Sequence, residues 1–193
     1  MTRVCVFCGS STGNRPEYRE AAERLARELT RRRIGLVFGG GCVGLMGVLA
    51  DAMLAAGGHV IGVIPQALVA REVGHKSLPD LRIVNSMHER KAMMAELSDA
   101  FIAMPGGFGT FEEFCEVVTW TQLGLHRKRC GLLNVAGYYD SLLALIDRAV
   151  ADEYLKASNR DMVVADDDPA ALLDRLAAPI DAPEPKWITS EDT

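Results

Sequence analysis

Residues 103–113 read AMPGGFGTFEE, in which the end of a buried strand, a glycine loop and the start of a helix follow one another directly. Pro105 ends the apolar run, because proline has no N–H to donate to a sheet. The loop contains three glycines, which allow a sharp turn or a close approach of the backbone to a ligand: Gly106, Gly107 and Gly109. A helix is predicted from Thr110 onward. The stretch is therefore a strand–loop–helix junction.

The same alternation of strand and helix continues along the whole chain. Short apolar and β-branched runs predict strands at 3–9, 34–40, 59–65, 81–85, 99–105 and 130–135, with a last short edge at 161–167. Amphipathic segments predict helices at 16–33, 43–58, 87–98, 110–124, 138–155 and 168–178, and residues 66–80 are predicted to form a loop. Strands joined by such helices lie parallel. The prediction is an α/β fold, a single doubly wound Rossmann-like domain with a mainly parallel sheet flanked by helices.

Length and charge limit the domain organisation and the partners. A chain of 193 residues is long enough for one buried core, which we place at residues 1–178, and the polar, Pro-rich residues 179–193 are expected to be a loose tail. A net charge of −5 argues against a nucleic-acid partner. No apolar run approaches the roughly 18 residues of a spanning helix, so no membrane partner is expected.

The cysteines and the N-terminus indicate a cellular compartment. The first residues become charged too early for a signal peptide, and five cysteines lack the spacing of a disulfide framework. Both features favour reduced thiols in a cytoplasm. Cys5 and Cys8 form a C-x-x-C pair, but residues three apart in a strand face opposite sides. Packing explains this pair better than redox or metal chemistry does.

A first glycine loop satisfies G-x-G-x-x-G at Gly39, Gly41 and Gly44. A dinucleotide site also requires an acidic residue at the end of the following strand, whereas that strand ends in Pro65 and Gln66. We therefore expect no NAD(P) and no other cofactor. Two alternatives stay open for this loop: a contact with a phosphate or sugar, and a tight turn required for packing.

The second glycine loop has the features of an anion site. It lies where a parallel sheet binds its ligands, and its backbone N–H groups precede a helix whose dipole attracts negative charge. A phosphate group is the expected ligand. Thr110-x-x-Glu113 also matches a capping box, in which the glutamate accepts from the cap amide. That pattern alone favours a structural role for Glu113.

A second capping box, Ser86-x-x-Glu89, opens the helix before it. Arg90 and Lys91 then fall near the start of this helix, where positive charge opposes the helix dipole. Either they hold something anionic or polar, or they are two solvated surface cations. The nearby pair His75-Lys76 faintly resembles that of pyridoxal-phosphate decarboxylases, but such enzymes are normally far longer, and Lys76 is expected to be a solvated loop residue.

Two motifs at a fixed separation identify a family resemblance. PGGFGTFEE at 105–113 fits P-G-G-x-G-T-x-x-E, and MHERK precedes it at 87–91. Together they resemble the LONELY GUY family, the cytokinin riboside 5′-monophosphate phosphoribohydrolases. The resemblance extends through CVFCGSS, GGGCVGLMG, VIGVIP, TWTQLGLHRK and GLLNVAGYYDSLL, from residue 3 to about 155. Phe108 and Phe111 replace the Tyr and Leu common there, which alters the pocket wall but not the backbone cradle. Members are often labelled lysine decarboxylases, a label that no residue here supports chemically.

The resemblance implies cleavage of the N-glycosidic bond of an adenine-type nucleoside 5′-monophosphate, giving free base and ribose 5-phosphate. The family's essential Arg and Glu correspond to Arg90 and Glu113. The residues expected to bind the nucleotide, from the loop and the resemblance together, are Glu72, Lys91, Gly106, Gly107, Phe108, Gly109, Thr110, Phe111, Glu112 and Thr119. No metal is expected, and the resemblance implies a homodimer.

The implied chemistry is compatible with these residue types. Cleavage of a ribosyl C–N bond passes through an oxocarbenium-like state, which the carboxylate of Glu113 would stabilise while orienting water. Arg90 is expected to contact the phosphate or sugar and to keep Glu113 ionised. Glu116 shares the face of Glu113 and either lines the site or is solvated. No residue is identified as the general acid.

Two other functions are compatible with these residues. The same chemistry on plain AMP would make the protein an AMP nucleosidase in nucleotide salvage. Proteins with a similar fold carry the molybdenum cofactor, whose pterin also bears a phosphate, so a non-catalytic carrier is the alternative from a different class.

Overall fold

The computed structural model describes residues 1–69, 74–75 and 77–178, and these form a seven-stranded sheet in which every paired strand is parallel. The strands are β1 (Arg3–Phe7), β2 (Gly35–Phe38), β3 (Val60–Pro65), β4 (Asp80–Val84), β5 (Ala100–Ala103), β6 (Cys130–Leu133) and β7 (Val163–Asp166). Their order across the sheet is β4-β3-β2-β1-β5-β6-β7. The predicted doubly wound α/β fold is confirmed, with β7 as the short edge.

Helices connect the strands on both faces of the sheet. They are α1 (Pro16–Arg31), α2 (Gly44–Ala55), α3 (Gln66–Val69), α4 (Met87–Glu96), α5 (Phe108–Gln122), α6 (Asp140–Ala151), α7 (Ala157–Arg160) and α8 (Pro169–Ala177). The main differences from the sequence prediction are four: α3 interrupts the predicted loop, α5 begins two residues early, α7 was not predicted, and the predicted helix 138–155 is shorter, with a 3₁₀ turn at Val135–Gly137 before it.

The sheet separates the core into two layers. Strand β1 contributes to both, because its alternate side chains face opposite sides. Val4 and Val6 pack in the layer that contains α1, α2 and α8, whereas Cys5 and Phe7 pack in the layer that contains α4 and α5. Cys8 lies in the first layer and is buried. The prediction that Cys5 and Cys8 face opposite sides is therefore confirmed, and all five cysteines are free thiols.

The chain order creates a crevice beside β1. From β1 the chain moves outward through β2, β3 and β4, then returns to place β5 on the other side of β1. The loops after β1 and β5 therefore diverge from a switch point, where such sheets bind ligands. They are joined there by a hydrogen bond of 3.0 Å from Gly9 N to Pro105 O, and Leu45 N, in the first turn of α2, donates to Gly9 O at 3.0 Å.

Some predictions lie outside the described residues. The expected tail, 179–193, is one of them, so the division into a domain and a tail stays a prediction. Glu72 and Lys76 are also outside. Within the part of the chain that is described, no helix is long and apolar enough to cross a membrane.

Candidate active site

A cleft of about 290 Å³ opens at the switch point between β1 and β5. The loop after β1, the first glycine loop, α4 and the start of α5 all contribute to its wall. Residues predicted for the site that line it are Arg90, Gly107, Phe108, Gly109, Thr110 and Glu113. The structure thus brings both proposed catalytic side chains and the second glycine loop to one cavity.

Arg90 and Glu113 form an ion pair at the base of this cleft. Nη1 of Arg90 lies 3.2 Å from Oε1 of Glu113, and each side chain is only 11% exposed. Nε of Arg90 donates to the carbonyl oxygen of Val63 in β3 at 3.2 Å. Gly39 allows this placement, because a side-chain carbon there would collide with the Arg90 guanidinium. The first glycine loop is therefore a contact surface for Arg90.

The surroundings of Glu113 set its protonation. Burial raises the pKa of Glu113 above the usual range of a glutamate, and the charge of Arg90 opposes that rise. Glu112 and Glu116 raise the pKa further, whereas Lys91 lowers it. Glu113 therefore depends on Arg90 to stay ionised, and an ionised carboxylate is what stabilises a developing positive charge.

The capping-box interpretation of Glu113 is wrong. Helix α5 begins at Phe108 with Gly107 as its cap, and no side chain caps it. A capping box would require Thr110 to be the cap residue, three positions before Glu113. Thr110 instead lies inside the helix and is buried against Gly106, so Glu113 cannot accept from a cap amide. Its carboxylate turns instead into the cleft toward Arg90. This leaves Glu113 available for chemistry.

The capping box at α4 is present in a shifted form. Oγ of Ser86 accepts from the amide of Glu89 at 3.1 Å, as predicted. The carboxylate of Glu89 accepts from the amide of Asn85 at 2.8 Å, one residue before the cap. This anchoring fixes the helix start that carries Arg90 into the cleft.

The second glycine loop has the geometry of an anion cradle. The first helical hydrogen bond of α5 runs from Phe111 N to Gly107 O at 3.1 Å, so the preceding amides have no partner within the helix. A side-chain carbon on Gly107 or Gly109 would meet no atom within 4 Å, so the space above the loop is open. Gly106 is different, since a side chain there would collide with Thr110.

Two tyrosines that the sequence reasoning did not assign hold this loop from behind. The hydroxyl of Tyr138 donates to the carbonyl of Gly106, and that of Tyr139 donates to the carbonyl of Met104 at 2.6 Å. Tyr139 is 1% exposed, and burial raises the pKa of its hydroxyl, so it stays a donor. The signal that could have identified them was the GYYD stretch of the family resemblance.

Lys91 is not a solvated surface cation. Its Nζ lies 2.5 Å from Oε1 of Glu112 and 3.0 Å from Oε1 of Glu116, and its side chain is 10% exposed. Burial lowers the pKa of Lys91, but the hydrogen bonds of both carboxylates outweigh it and the net shift is upward. Lys91 therefore ties α4 to α5 beside the Arg90–Glu113 pair. The alternative of two solvated cations is wrong for both residues.

Five predicted contacts are not among the residues that line the cleft: Lys91, Gly106, Phe111, Glu112 and Thr119. Phe111 is half-buried, with its ring centroid 6.5 Å from that of Phe108 and 6.4 Å from that of Tyr139. Thr119 is exposed, two turns further along α5, and donates to the carbonyl of Cys115 at 2.7 Å. Among residues 1–69, 74–75 and 77–178, no group of three or more His, Cys, Asp or Glu side chains is placed to hold a metal.

Solved structures with the same fold include proteins that hold the molybdenum cofactor. A molybdenum cofactor binding protein from Rippkaea orientalis superposes with a TM-score of 0.68 at 18% identity, covering 90% of this chain and 93% of its own. The molybdenum cofactor carrier protein of Chlamydomonas reinhardtii gives a TM-score of 0.67 at 19% identity, covering 92% and 99%. At these identities the likeness shows the fold alone.

Sequence comparison gives much closer relatives. The family model described as possible lysine decarboxylase matches residues 46–176. A probable cytokinin riboside 5′-monophosphate phosphoribohydrolase of Oryza sativa subsp. japonica is 55% identical over 174 residues, covering 90% of this chain and 77% of that protein. A cytokinin riboside 5′-monophosphate phosphoribohydrolase of Arabidopsis thaliana is 54% identical over 163 residues, covering 84% and 75%. The chain therefore belongs to the LONELY GUY family of cytokinin riboside 5′-monophosphate phosphoribohydrolases.

Proposed function

We propose that this protein hydrolyses the N-glycosidic bond of N6-modified adenine nucleoside 5′-monophosphates and releases the free base and ribose 5-phosphate. The observation that carries the proposal is the buried Arg90–Glu113 pair, 3.2 Å apart, which shares one cleft with an open glycine loop. Close relatives that bear this activity in their names support it.

The glycine loop would bind the 5′-phosphate. The amides of Phe108, Gly109 and Thr110 are at the N-terminal end of α5, whose dipole adds positive potential. Gly106 and Gly107 complete the cradle without side chains that would block it. A phosphate held here supplies binding energy remote from the bond that breaks. A nucleoside without the phosphate should therefore be a poor substrate.

Glu113 would act at the anomeric carbon. As the C1′–N9 bond breaks, its electron pair moves to the base and positive charge develops on the ribose. The Glu113 carboxylate stabilises this charge and accepts a proton from the water that attacks C1′. Among the described residues that line the cleft, Glu113 is the only carboxylate. The departing base therefore takes its proton from solvent, either at N9 or at another ring nitrogen, and in the second case it leaves as a tautomer of the free base.

The other proposed site residues have supporting roles. Arg90 would keep Glu113 ionised and contact the sugar or phosphate. Lys91 and Glu112 would fix α5 relative to α4 and present charge at the rim of the cleft. Glu72, Phe111 and Thr119 remain proposed nucleotide contacts on the basis of the family resemblance.

We further propose a homodimer in the cytoplasm. Leu123, Leu125 and Leu145 are each more than half exposed, which supports an apolar surface for a second copy. The five free thiols support a reducing compartment. The chromatography experiment described next decides whether the preferred base is adenine or N6-prenylated adenine.

Chromatography of the free base tests the proposal. N6-isopentenyl-AMP, AMP and N6-isopentenyladenosine are incubated with the wild type, with Glu113→Gln and with Glu20→Gln, the same change at an exposed position of α1. We expect base from the prenylated monophosphate with the wild type and Glu20→Gln only, and little from the nucleoside. If the wild type released base from AMP but not from N6-isopentenyl-AMP, the protein would be an AMP nucleosidase. No base from either monophosphate would contradict the proposal.

A further inference from the structure

His75 is a buried histidine that the proposed reaction does not use. Its side chain lies outside the cleft, and the residue is 4% exposed. Nε2 of His75 lies 2.9 Å from Oδ1 of Asp51 in α2, and Nδ1 lies 3.3 Å from Oγ of Ser77. A carboxylate only accepts, so Nε2 donates to Asp51. Both ring nitrogens are therefore partnered.

The backbone around His75 is bound to the first glycine loop. The amide of His75 donates to the carbonyl of Gly40 at 2.9 Å, and Gly41 forms an antiparallel bridge with Gly74. The opposite side of the loop is equally confined. A side-chain carbon on Gly40, whose φ is 72°, would come within 3.1 Å of Ile64 Cβ. The loop is thus fixed between the sheet and the segment anchored by His75.

The same loop supports the guanidinium of Arg90. Gly39 precedes Gly40, and any side chain on it would collide with Arg90. The guanidinium is also fixed by Val63 O at 3.2 Å and by Glu113 at 3.2 Å. A displacement of the loop would therefore change the position of Arg90 relative to Glu113.

We propose that His75 is a positioning residue for the reaction. Through its hydrogen bond to Asp51 and its backbone bond to Gly40, it holds Gly39 against Arg90 and so maintains the distance between Arg90 and Glu113. The inference rests on the proposed function, because it concerns the geometry of the same pair. Neither His75 nor Asp51 lines the cleft.

Steady-state kinetics with N6-isopentenyl-AMP test it. In His75→Leu, kcat should fall by about a hundredfold, the size of effect expected when a catalytic group moves by about 1 Å. KM should change by less than about threefold, since the phosphate loop is untouched. His75→Gln should recover most of kcat, because its amide N–H can donate to Asp51. The control is His59→Leu, the same change at an exposed histidine next to the amino end of β3.

The pH profile gives a readout that a purely structural role would not change. Arg90 lowers the pKa of Glu113, so its displacement should move the acidic limb of kcat/KM to higher pH. Loss of folded protein would lower the rate at every pH and leave the limb in place. His75→Leu does not change the other titratable groups that interact electrostatically with Glu113. These are Lys91, Glu112, Glu116, Cys5 and Cys8.

The outcomes separate the two proposals. If the wild type and His59→Leu release no base, the proposed function fails. If both release base and His75→Leu matches them in kcat and in the acidic limb, the role of His75 is overturned while the function stands. Asp51→Ala removes only the partner of His75 from a side chain that is 72% exposed, so it should fold. Asp51→Ala should also move the acidic limb of kcat/KM to higher pH. If both the acidic limb and kcat were unchanged in Asp51→Ala, the proposal would also be overturned.

Discussion

Replacing Arg90 with Met should destabilise the protein in a pH-dependent way. The change keeps an apolar stem but leaves Glu113 buried without its partner, and both side chains are 11% exposed. Removing one member of a buried ion pair costs about 3–5 kcal/mol, and the lower value suits a pair that borders an open cleft. A loss of about 3 kcal/mol lowers the melting temperature of a chain of this size by about 6–12 °C.

The direction of the pH effect follows from the raised pKa of Glu113. A folded carboxyl whose pKa is above its unfolded value binds protons more tightly when folded, so stability falls as pH rises between the two values. Without Arg90 the pKa rises further, because Arg90 is the strongest factor that opposes burial. The extra loss should be full above the new pKa and disappear below the wild-type pKa of Glu113, which burial already raises.

Urea denaturation at neutral and at acidic pH measures this difference. Arg90→Met should be much less stable than the wild type at neutral pH and close to it at acidic pH, whereas the double variant Arg90→Met/Glu113→Gln should show no such dependence. Arg19→Met, which breaks an exposed pair with Glu23, is the control and should cost at most about 1 kcal/mol. A loss that is equal at both pH values would refute the reasoning, since it would come from the bond to Val63 or from packing.

Further predictions concern the carboxylate, the loop and its support. Glu113→Gln should lose at least about a hundredfold in kcat, and its melting temperature, by calorimetry, should fall less than that of Arg90→Met because the Gln amide oxygen can still accept from Arg90. Wild-type turnover should fall as pH drops through the pKa of Glu113, which burial raises, as a pH–rate profile would measure. Gly106→Ala should lower the melting temperature because its side chain collides with the first turn of α5, whereas Gly109→Ala, with open space around it, should not. Tyr139→Phe should cost about 1–3 kcal/mol in urea denaturation, because a buried backbone carbonyl loses its donor.

Local patterns were sufficient to predict the fold. Glycine or proline ends the strands predicted at 3–9, 34–40, 59–65 and 99–105, and the helical segments between strands have the length of a parallel crossover. The chain from Arg3 to Ala177 therefore has its elements in the predicted order. The boundaries that moved are those that depend on turns. At Val135–Gly137 a 3₁₀ turn, with Ala136 at a φ of 52°, delays the start of α6 until Asp140, and no propensity predicts that conformation for alanine.

The site was predicted less completely, because its key contacts join distant parts of the chain. Thr110-x-x-Glu113 matches a capping box as well as a catalytic motif, and only the start of α5 at Phe108 separates the two interpretations. The contact between Lys91 and Glu116 spans 25 positions and has no local signal. The family motif supplied Arg90 and Glu113, whereas their pairing required the fold.

The support behind the site was not predictable from motifs. Tyr138 and Tyr139 follow β6, yet their hydroxyls bond to carbonyls at the end of β5, more than 30 positions earlier. Likewise, His75 stood out in the sequence only beside Lys76, and its partner Asp51 is 24 positions away in α2. Hydrogen bonds of this kind depend on how neighbouring strands and helices are placed, which the linear pattern does not specify.

Identification of both products from N6-isopentenyl-AMP tests the central claim most directly. Mass spectrometry after incubation with the wild type should find N6-isopentenyladenine and ribose 5-phosphate in equal amounts, and neither with Glu113→Gln. Release of inorganic phosphate and the nucleoside instead would mean that the cleft cleaves the phosphate ester. Equal product from Glu113→Gln would contradict the assignment of the carboxylate that faces Arg90 as the catalytic group.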